Sequence, residues 1–318
     1  MIVSPEYLIA GILTTLTNLA LLIFIISNKT LRTSKNATIA SSLVVGILFA
    51  TIYVIPQLAI FDSDGQTNMI HDFRCGMLSR FGQALYLSLN LHLITHVSEF
   101  YIQIVYPFYA KEWLRKKNIT IILAVIWSTT ILPPIIIQIY LEIEAMSKGG
   151  FHGRDCRRTF TTFFIITSII LAVLSIIIII VSSFAYAHVL NITNNTIKET
   201  HKILIQLSHN SNNSCIESSR ESKQLSNLKL RLKSTVQAIV IYVCYLIPLM
   251  PFLILVIYTH FTFTLRHRSP PSGLIAVLLI FQYMSYLFPA IQPIVFFMFT
   301  AEYRNQLKLC RKRATFPV

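Results

Sequence analysis

Long runs of apolar residues dominate the hydrophobic pattern of the chain. Runs such as the isoleucine-rich block from Ser175 to Val181 lack the period of an amphipathic helix or a half-buried strand. A helix needs about 20 mostly apolar residues to cross a membrane, where its backbone polar groups must be satisfied internally. The pattern therefore predicts an all-α bundle of seven transmembrane helices. These spans, the first to the seventh, cover approximately residues 8–27, 37–60, 77–106, 119–140, 160–190, 236–258 and 274–300.

The third span is the least apolar of the seven. It carries Arg80, Asn90, His92, His96 and Glu99. Because charge that faces lipid is costly, we expect the other helices to enclose this span. Residues 1–300 then form one membrane domain, from which residues 191–235 extend as a long third inner loop.

The C-terminal tail, residues 301–318, has the pattern of a short amphipathic helix on the membrane surface. Tyr303, Leu307 and Cys310 fall on one face, and basic residues lie on the others. Cys310 is a candidate for lipidation, because a cysteine in a surface helix can be palmitoylated.

Composition and charge support a membrane protein and orient it. Of the residues, 54% are apolar and 13% charged, whereas a soluble domain has about 25% charged. With the N-terminus outside, the inner loops and tail contain most of the 27 lysines and arginines, and the net charge of +14 falls on the inner face. This topology and the attraction of basic residues to anionic lipid account for the positive net charge, so no nucleic-acid partner is needed to explain it.

Two cysteines are expected on the outer, oxidising side. Cys75 lies at the outer end of the third span, and Cys156 lies in the loop before the fifth. We expect them to form a disulfide that tethers this loop over the mouth of the bundle.

Several motifs follow one another along the chain in a characteristic order and spacing. They are Asn18, Leu31 to Thr33, Asn36, Glu99-Phe100-Tyr101, Trp127, Tyr186, Pro248, and Gln292-Pro293 followed by Phe296. This order resembles the rhodopsin-like (class A) family of G-protein-coupled receptors over almost the whole chain, and its narrower features are similar to the nematode chemosensory serpentine receptors. The resemblance implies a plasma-membrane receptor, without enzymatic activity or cofactor, whose partners are an extracellular ligand and a heterotrimeric G protein.

The chain departs from the family pattern at positions that matter for activation. Phe100 stands where the family has the arginine that reaches the G protein, and Gly46 stands where it has a sodium-binding aspartate. The seventh-span motif carries Gln292 and Phe296 in place of asparagine and tyrosine, and Leu246 stands at the sixth-span aromatic position. These substitutions place the usual activation network, and the sodium site, in question.

The resemblance also implies a ligand site between the outer halves of the helices. Gln83 and Tyr86 share a face of the third span, as Gln282 and Tyr286 share one of the seventh. Gly82 stands where amine receptors keep an aspartate, so an amine ligand is disfavoured. The alternative is that these polar groups only bond one another across helices.

Two other functions fit parts of the pattern. His92, His96 and Glu99 share a helix face at a spacing that can ligate zinc, as in a membrane hydrolase, although a buried polar patch is the simpler interpretation. A ligand-gated channel similar to insect odorant receptors also has seven spans, but its N-terminus lies inside, against the charge distribution.

Overall fold

The computed structural model describes residues 5–59, 79–147, 173–195, 242–247, 249–259, 271–300 and 302–307, with isolated positions between residues 198 and 262. All regular structure within these residues is helical, as the sequence predicted. The helices of the seven spans are Pro5–Ser27, Ser34–Leu48, Ser79–Val105, Lys116–Ser147, Val173–Asn195, Tyr242–Thr259 and Ser272–Phe299. The second helix continues as a π-helix over Phe49–Ala59, and a short helix, Pro107–Trp113, joins the third and fourth.

Six of these seven helices are long and apolar enough to cross a membrane by themselves. The exception is the third, Ser79–Val105, whose buried side chains include Arg80, His92 and Glu99. Neighbouring helices shield these polar groups from lipid, as the sequence indicated.

The first helix shows how the bundle sorts its side chains. Its buried stripe includes the small or polar residues Ala10, Thr14 and Asn18, whereas Ile9, Leu16 and Ile23 on the opposite side are each more than half exposed. Lipid does not drive apolar side chains inward, so small and polar residues face the neighbouring helices and large apolar residues face outward.

The first inner turn is built from local hydrogen bonds. The second helix begins where the Thr33 hydroxyl accepts a bond from the Asn36 backbone N–H at 3.3 Å. The Asn36 side-chain amide donates to the Leu31 carbonyl at 2.7 Å. These contacts cap the helix start and close the turn, which fixes where the second helix enters the bundle.

Residues 302–307 of the tail are helical, and Tyr303 is completely buried against the bundle. Leu307 is 48% exposed, so it does not share the burial of Tyr303. Several predictions lie outside the described residues. These are the disulfide between Cys75 and Cys156, lipidation of Cys310, the motif residue Pro248, and most of the third inner loop.

Candidate functional site

Four aromatic side chains meet in the half of the bundle that contains the helix end at Pro5. This aromatic cluster consists of Phe49 and Tyr53 on the second helix, Tyr86 on the third and Tyr286 on the seventh. The Tyr286 ring lies 5.4 Å from Phe49, 6.0 Å from Tyr53 and 5.8 Å from Tyr86, in each case edge to face. Such contacts add directional stability to the burial of the rings, so they fix the relative positions of three helices.

Tyr53 fills the space beside Gly82. A Cβ atom at Gly82 would collide with the Tyr53 ring, which is buried and also packs on Phe49 at 5.5 Å. The π-helical segment that carries Tyr53 contains Pro56, whose missing N–H removes a bond from this segment. Gly82 stands at the position where an amine receptor has its counter-ion. The space that such a side chain would need is filled by the Tyr53 ring of the second helix.

Three of the four predicted ligand residues come together in the structure. Tyr86 and Tyr286 belong to the aromatic cluster, and the Gln282 amide donates to the Tyr286 hydroxyl at 3.1 Å. Gln83 is half-buried one turn from Tyr86 on the third helix. The bond between Gln282 and Tyr286 lies within one helix. Tyr286 also bonds Tyr53, and Tyr86 bonds Ser285, so these polar groups pair across helices as well, as the alternative expects.

Sequence reasoning missed Phe49 and Tyr53 as members of this site. Their spacing of four residues just before Pro56 was the available signal. A regular helix would place both rings on one face, but nothing in the sequence showed that this face turns toward Gly82.

Near the opposite end of the bundle, hydrogen bonds join the first, second, third and seventh helices and the tail. The bonds of this inner polar network are Asn18 Nδ2 to the Pro289 carbonyl at 2.8 Å, Thr38 Oγ1 to Glu99 Oε1 at 2.6 Å, Gln292 Nε2 to Ser42 Oγ at 3.4 Å, and Tyr303 Oη to Asn36 Oδ1 at 2.8 Å. All eight residues are buried. Each bond satisfies polar groups that have little access to solvent.

Tyr303 anchors the tail to this network. Its hydroxyl bonds Asn36, and its ring lies edge to face on Phe24 at 6.3 Å. Burial, and secondarily the neighbouring charge of Glu302, raises the pKa of Tyr303 above its usual value. The phenol therefore keeps its proton at physiological pH and remains the donor to Asn36.

Asn18 and Gly46 together leave no room for the family's aspartate. A Cβ atom at Gly46 would lie 2.8 Å from Asn18 Oδ1, which is closer than side chains normally approach. The Asn18 amide meanwhile donates to the Thr14 carbonyl at 2.7 Å and to the Pro289 carbonyl. The first and second helices therefore pack so closely at Gly46 that an aspartate side chain would not fit there.

His92 is held by a chain of hydrogen bonds across three helices. Its Nδ1 lies 2.8 Å from the Ser88 carbonyl, which can only accept, so Nδ1 carries a proton. In the neutral tautomer Nε2 then accepts from the Ser41 hydroxyl at 2.8 Å, and Ser41 accepts from Trp127 Nε1 at 3.0 Å. Both ring nitrogens of His92 are engaged in this arrangement.

The zinc alternative gains no support from this geometry. His96 Nδ1 lies 3.9 Å from Glu99 Oε2, while Glu99 also accepts from Thr38. Within the part of the chain that the structure describes, no group of three or more His, Cys, Asp or Glu side chains is arranged to hold a metal ion. On the polar face of the third helix, His92 and Glu99 are hydrogen-bonded to the second helix, whereas His96 Nε2 is buried without a hydrogen-bond partner among the described residues.

Aromatic rings connect the third, fifth and sixth helices. In this aromatic bridge Phe100 lies 6.1 Å from Tyr186, and Tyr186 lies 4.7 Å from Tyr242. The Tyr242 hydroxyl donates to the Ile179 carbonyl at 2.7 Å and lies 2.6 Å from Ser183 Oγ, so it bonds the sixth helix to the fifth. Phe100, which replaces the family's arginine, therefore packs against the neighbouring helix instead of presenting a charge.

The other predicted motif residues, Tyr101, Pro293 and Phe296, lie beside these groups. Tyr101 Oη is 3.0 Å from His188 Nδ1 on the fifth helix. The Phe296 ring packs on His96 at 5.4 Å, and Pro293 lies one residue beyond Gln292 on the seventh helix. Tyr245 of the sixth helix donates a hydrogen bond to Asn90 Oδ1, a contact that sequence reasoning did not identify.

Comparison with known sequences agrees with this architecture. No curated protein matches the chain. The family described as "7 transmembrane receptor (rhodopsin family)" matches residues 17–296, which is most of the chain and includes residues of all seven spans. The helical bundle and this match together establish that the chain belongs to the rhodopsin family of seven-transmembrane receptors, a family of multi-pass membrane proteins.

Proposed function

We propose that the protein is a chemosensory receptor of the plasma membrane, with its N-terminus outside. An extracellular small molecule or peptide binds within the bundle, and movement of the sixth helix transmits the signal to a heterotrimeric G protein. Family membership supports a receptor that binds a ligand and couples to a G protein, rather than an enzyme. The finer parts of the proposal rest on the contacts described above.

The observation that carries the proposed movement is the difference between two sets of contacts. The inner polar network fastens the first, second, third and seventh helices to one another. Tyr245 bonds the sixth helix to Asn90 of the third, and Tyr242 bonds it to the fifth. The sixth helix can therefore pivot near Tyr245 together with the fifth. This movement breaks the contact between Tyr101 of the third helix and His188 of the fifth, while the first, second, third and seventh helices stay in place.

The aromatic cluster supports a ligand other than an amine. Gly82 supplies no carboxylate, and Tyr53 occupies the space beside it. The groups that converge there are phenol rings and the Gln282 amide, which favour a ligand that is apolar with a few hydrogen-bonding groups. Ligand contact at Gln83, Tyr86, Gln282 and Tyr286 is part of this proposal.

The inner ends of the helices supply the proposed contact with the G protein. It extends from Tyr101 to Lys117, where Lys111 and Arg115 are exposed. Phe100 cannot donate the hydrogen bonds of an arginine, so coupling would rely on this surrounding surface.

Two measurements on the intact receptor test the function. The first is antibody access to an N-terminal tag in unpermeabilised cells. The second is a screen of G-protein activation over odorants, lipids and peptides. We expect an accessible tag and a response to at least one compound. A tag that is reached only after permeabilisation would contradict the proposed orientation and favour the channel. An accessible tag with no response from any G protein would contradict signalling through a G protein.

Once an agonist is known, the variants Gln83→Leu and Tyr286→Phe test the ligand site. We expect the agonist concentration for half-maximal response to rise at least about tenfold, the effect of losing about 1.4 kcal/mol of binding. Tyr140→Phe, at a residue of the fourth helix that is 64% exposed, is the control and should respond normally. An unchanged response at normal surface expression would exclude these residues from the site.

A further inference from the structure

The short helix Pro107–Trp113 presents an aromatic face that no other part of the described structure covers. Tyr109 and Trp113, four residues apart, share this face and are 63% and 60% exposed. Ala110, on the adjacent side, is the residue that packs against the bundle. Phe108 lies on the opposite side, near Lys111 and Glu112, and is 94% exposed.

The position of this helix places it at the level of the membrane boundary. The third helix ends at Val105, two residues before it begins, and the fourth begins at Lys116, three residues after it ends. The exposed apolar face of the fourth helix starts at Ile121, which lies about 7.5 Å along the helix from Lys116. The aromatic face is therefore within one or two helical turns of the hydrocarbon.

Local bonds hold the short helix against the start of the fourth. The Asn118 amide donates to the carbonyls of Glu112 and Trp113, each at 3.2 Å. The Leu114 N–H donates to the Ala110 carbonyl at 2.9 Å. These bonds satisfy carbonyls at the end of the short helix and fix its direction relative to the span that follows.

Exposed basic side chains follow the aromatic face in the chain. Arg115, Lys116 and Lys117 come directly after the short helix and are exposed, whereas Lys111 and Glu112 lie on the side of Phe108. Tyrosine and tryptophan side chains favour the headgroup region of a bilayer, and each nearby lysine or arginine is attracted to anionic lipid. The chemistry of the segment thus matches an anionic lipid surface, which offers apolar and negatively charged groups side by side.

We propose that this segment is a docking site for anionic phospholipid, in which Tyr109 and Trp113 enter the headgroup region and Arg115, Lys116 and Lys117 bind the headgroups. The proposal assumes that the segment faces the inner leaflet, as in the proposed orientation. It assigns Phe108, on the other face, to the aqueous side.

The tryptophans allow a direct test, because the chain contains only two. The second, Trp127, is part of the bond chain to Ser41. The full-length receptor with Trp127→Phe is placed in nanodiscs of phosphatidylcholine, alone or with phosphatidylserine in both leaflets, so that the result does not depend on orientation in the cell. If this variant does not fold, the signal of Trp113 is obtained from the difference between the unmodified receptor and Trp113→Phe.

Quenching of Trp113 by brominated lipid is the readout. We expect stronger quenching by lipids brominated near the headgroup than near the end of the acyl chain, and weak quenching by aqueous iodide. Brominated phosphatidylserine, added as a minor component, should quench about twice as strongly as brominated phosphatidylcholine, because basic side chains enrich it locally. High salt, or replacement of Arg115, Lys116 and Lys117 by glutamine, should remove this difference.

Two results would overturn the proposal. Equal quenching by the two brominated lipids at low salt would show that the basic residues do not select an anionic headgroup. Strong iodide quenching without lipid quenching would show that the aromatic face lies in water and is free for a protein partner. Phe108→Ala is the matched control and should leave lipid quenching of Trp113 unchanged.

Discussion

The inner polar network and the aromatic bridge hold neighbouring helices together by different interactions. In the network, hydrogen bonds from Asn18, Thr38 and Gln292 join backbone or side-chain acceptors on other helices. In the bridge, Phe100, Tyr186 and Tyr242 meet mainly through their rings. A hydrogen bond weakens steeply when its angle changes, whereas stacked rings keep much of their contact as they slide.

From this difference we expect the network to contribute mainly to stability and the bridge mainly to signalling. The network favours one arrangement of the helices that it joins, because displacement leaves polar groups unpaired away from water. We expect the bridge to tolerate small displacements better, because ring contacts depend less on angle than hydrogen bonds do. Disturbing the network should therefore reduce stability, and disturbing the bridge should change stability less and signalling more.

The largest expected effect comes from Gly46→Asp, which introduces the family's carboxylate beside Asn18. We expect a loss of about 3 kcal/mol in the free energy of unfolding, the cost of a charge in the middle of a membrane helix, together with the steric conflict at Asn18. Thermal unfolding of the purified receptor in detergent measures it. Gly273→Asp is the control, because nothing lies within 4 Å of a Cβ at Gly273. Equal stability of the two variants would contradict the close packing at Gly46.

The second-largest loss of stability is expected for Thr38→Val, which removes a hydrogen-bond donor to Glu99 and preserves the shape of the side chain. We expect a loss of about 1–3 kcal/mol, because the buried carboxylate loses a hydrogen bond. The same unfolding measurement applies. Thr129→Val, at an exposed residue whose hydroxyl bonds its own helix at Val125, should change stability much less. If Thr38→Val were equally harmless, the bond to Glu99 would not contribute to the network.

Two substitutions of Tyr242 separate the contribution of its hydroxyl to the aromatic bridge from that of its ring. Tyr242→Phe removes the bond to the Ile179 carbonyl and should cost about 0.6 kcal/mol, the average for a hydrogen bond between membrane helices. Tyr242→Leu also removes the ring contact with Tyr186 and should cost about 1 kcal/mol more. Unfolding of the two variants side by side gives the contributions. Equal losses for the two variants would show that hydrogen bonding, and not the ring contact, dominates the bridge.

The smallest expected change in stability follows from Phe100→Arg, which restores the family's residue. Phe100 is half-buried near the inner helix end, where a long basic side chain can extend to water, so we expect a loss of about 0.5 kcal/mol. Agonist-stimulated G-protein activation should increase, because the guanidinium supplies donors to the partner. Phe100→Leu is the control for the lost ring. A gain in signalling for leucine as well would mean that release from Tyr186, rather than the new charge, is responsible.

Sequence reasoning performed best where lipid imposes a simple rule. The all-α bundle and the enclosed third span followed from apolar run lengths and from the cost of exposed charge, and the structure agrees with both. It also predicted Gln83, Tyr86, Gln282 and Tyr286 as ligand contacts from their spacing on two helix faces. This stays a prediction, although the structure brings the last three together. Sequence reasoning did not find Phe49, Tyr53 or the bond between Tyr245 and Asn90, which depend on the rotation and spacing of separate helices.

The apolar runs, the charge distribution and the ordered motifs were sufficient to determine that this chain forms a seven-helix receptor. These properties are local, because each span must satisfy its own backbone in the membrane. Only the tertiary structure showed that Gly46 closes on Asn18, that Tyr53 fills the space at Gly82 and that Glu99 is paired with Thr38. Contacts of this kind join residues from different helices, and their geometry is set by how the helices pack, which no periodicity within one helix encodes.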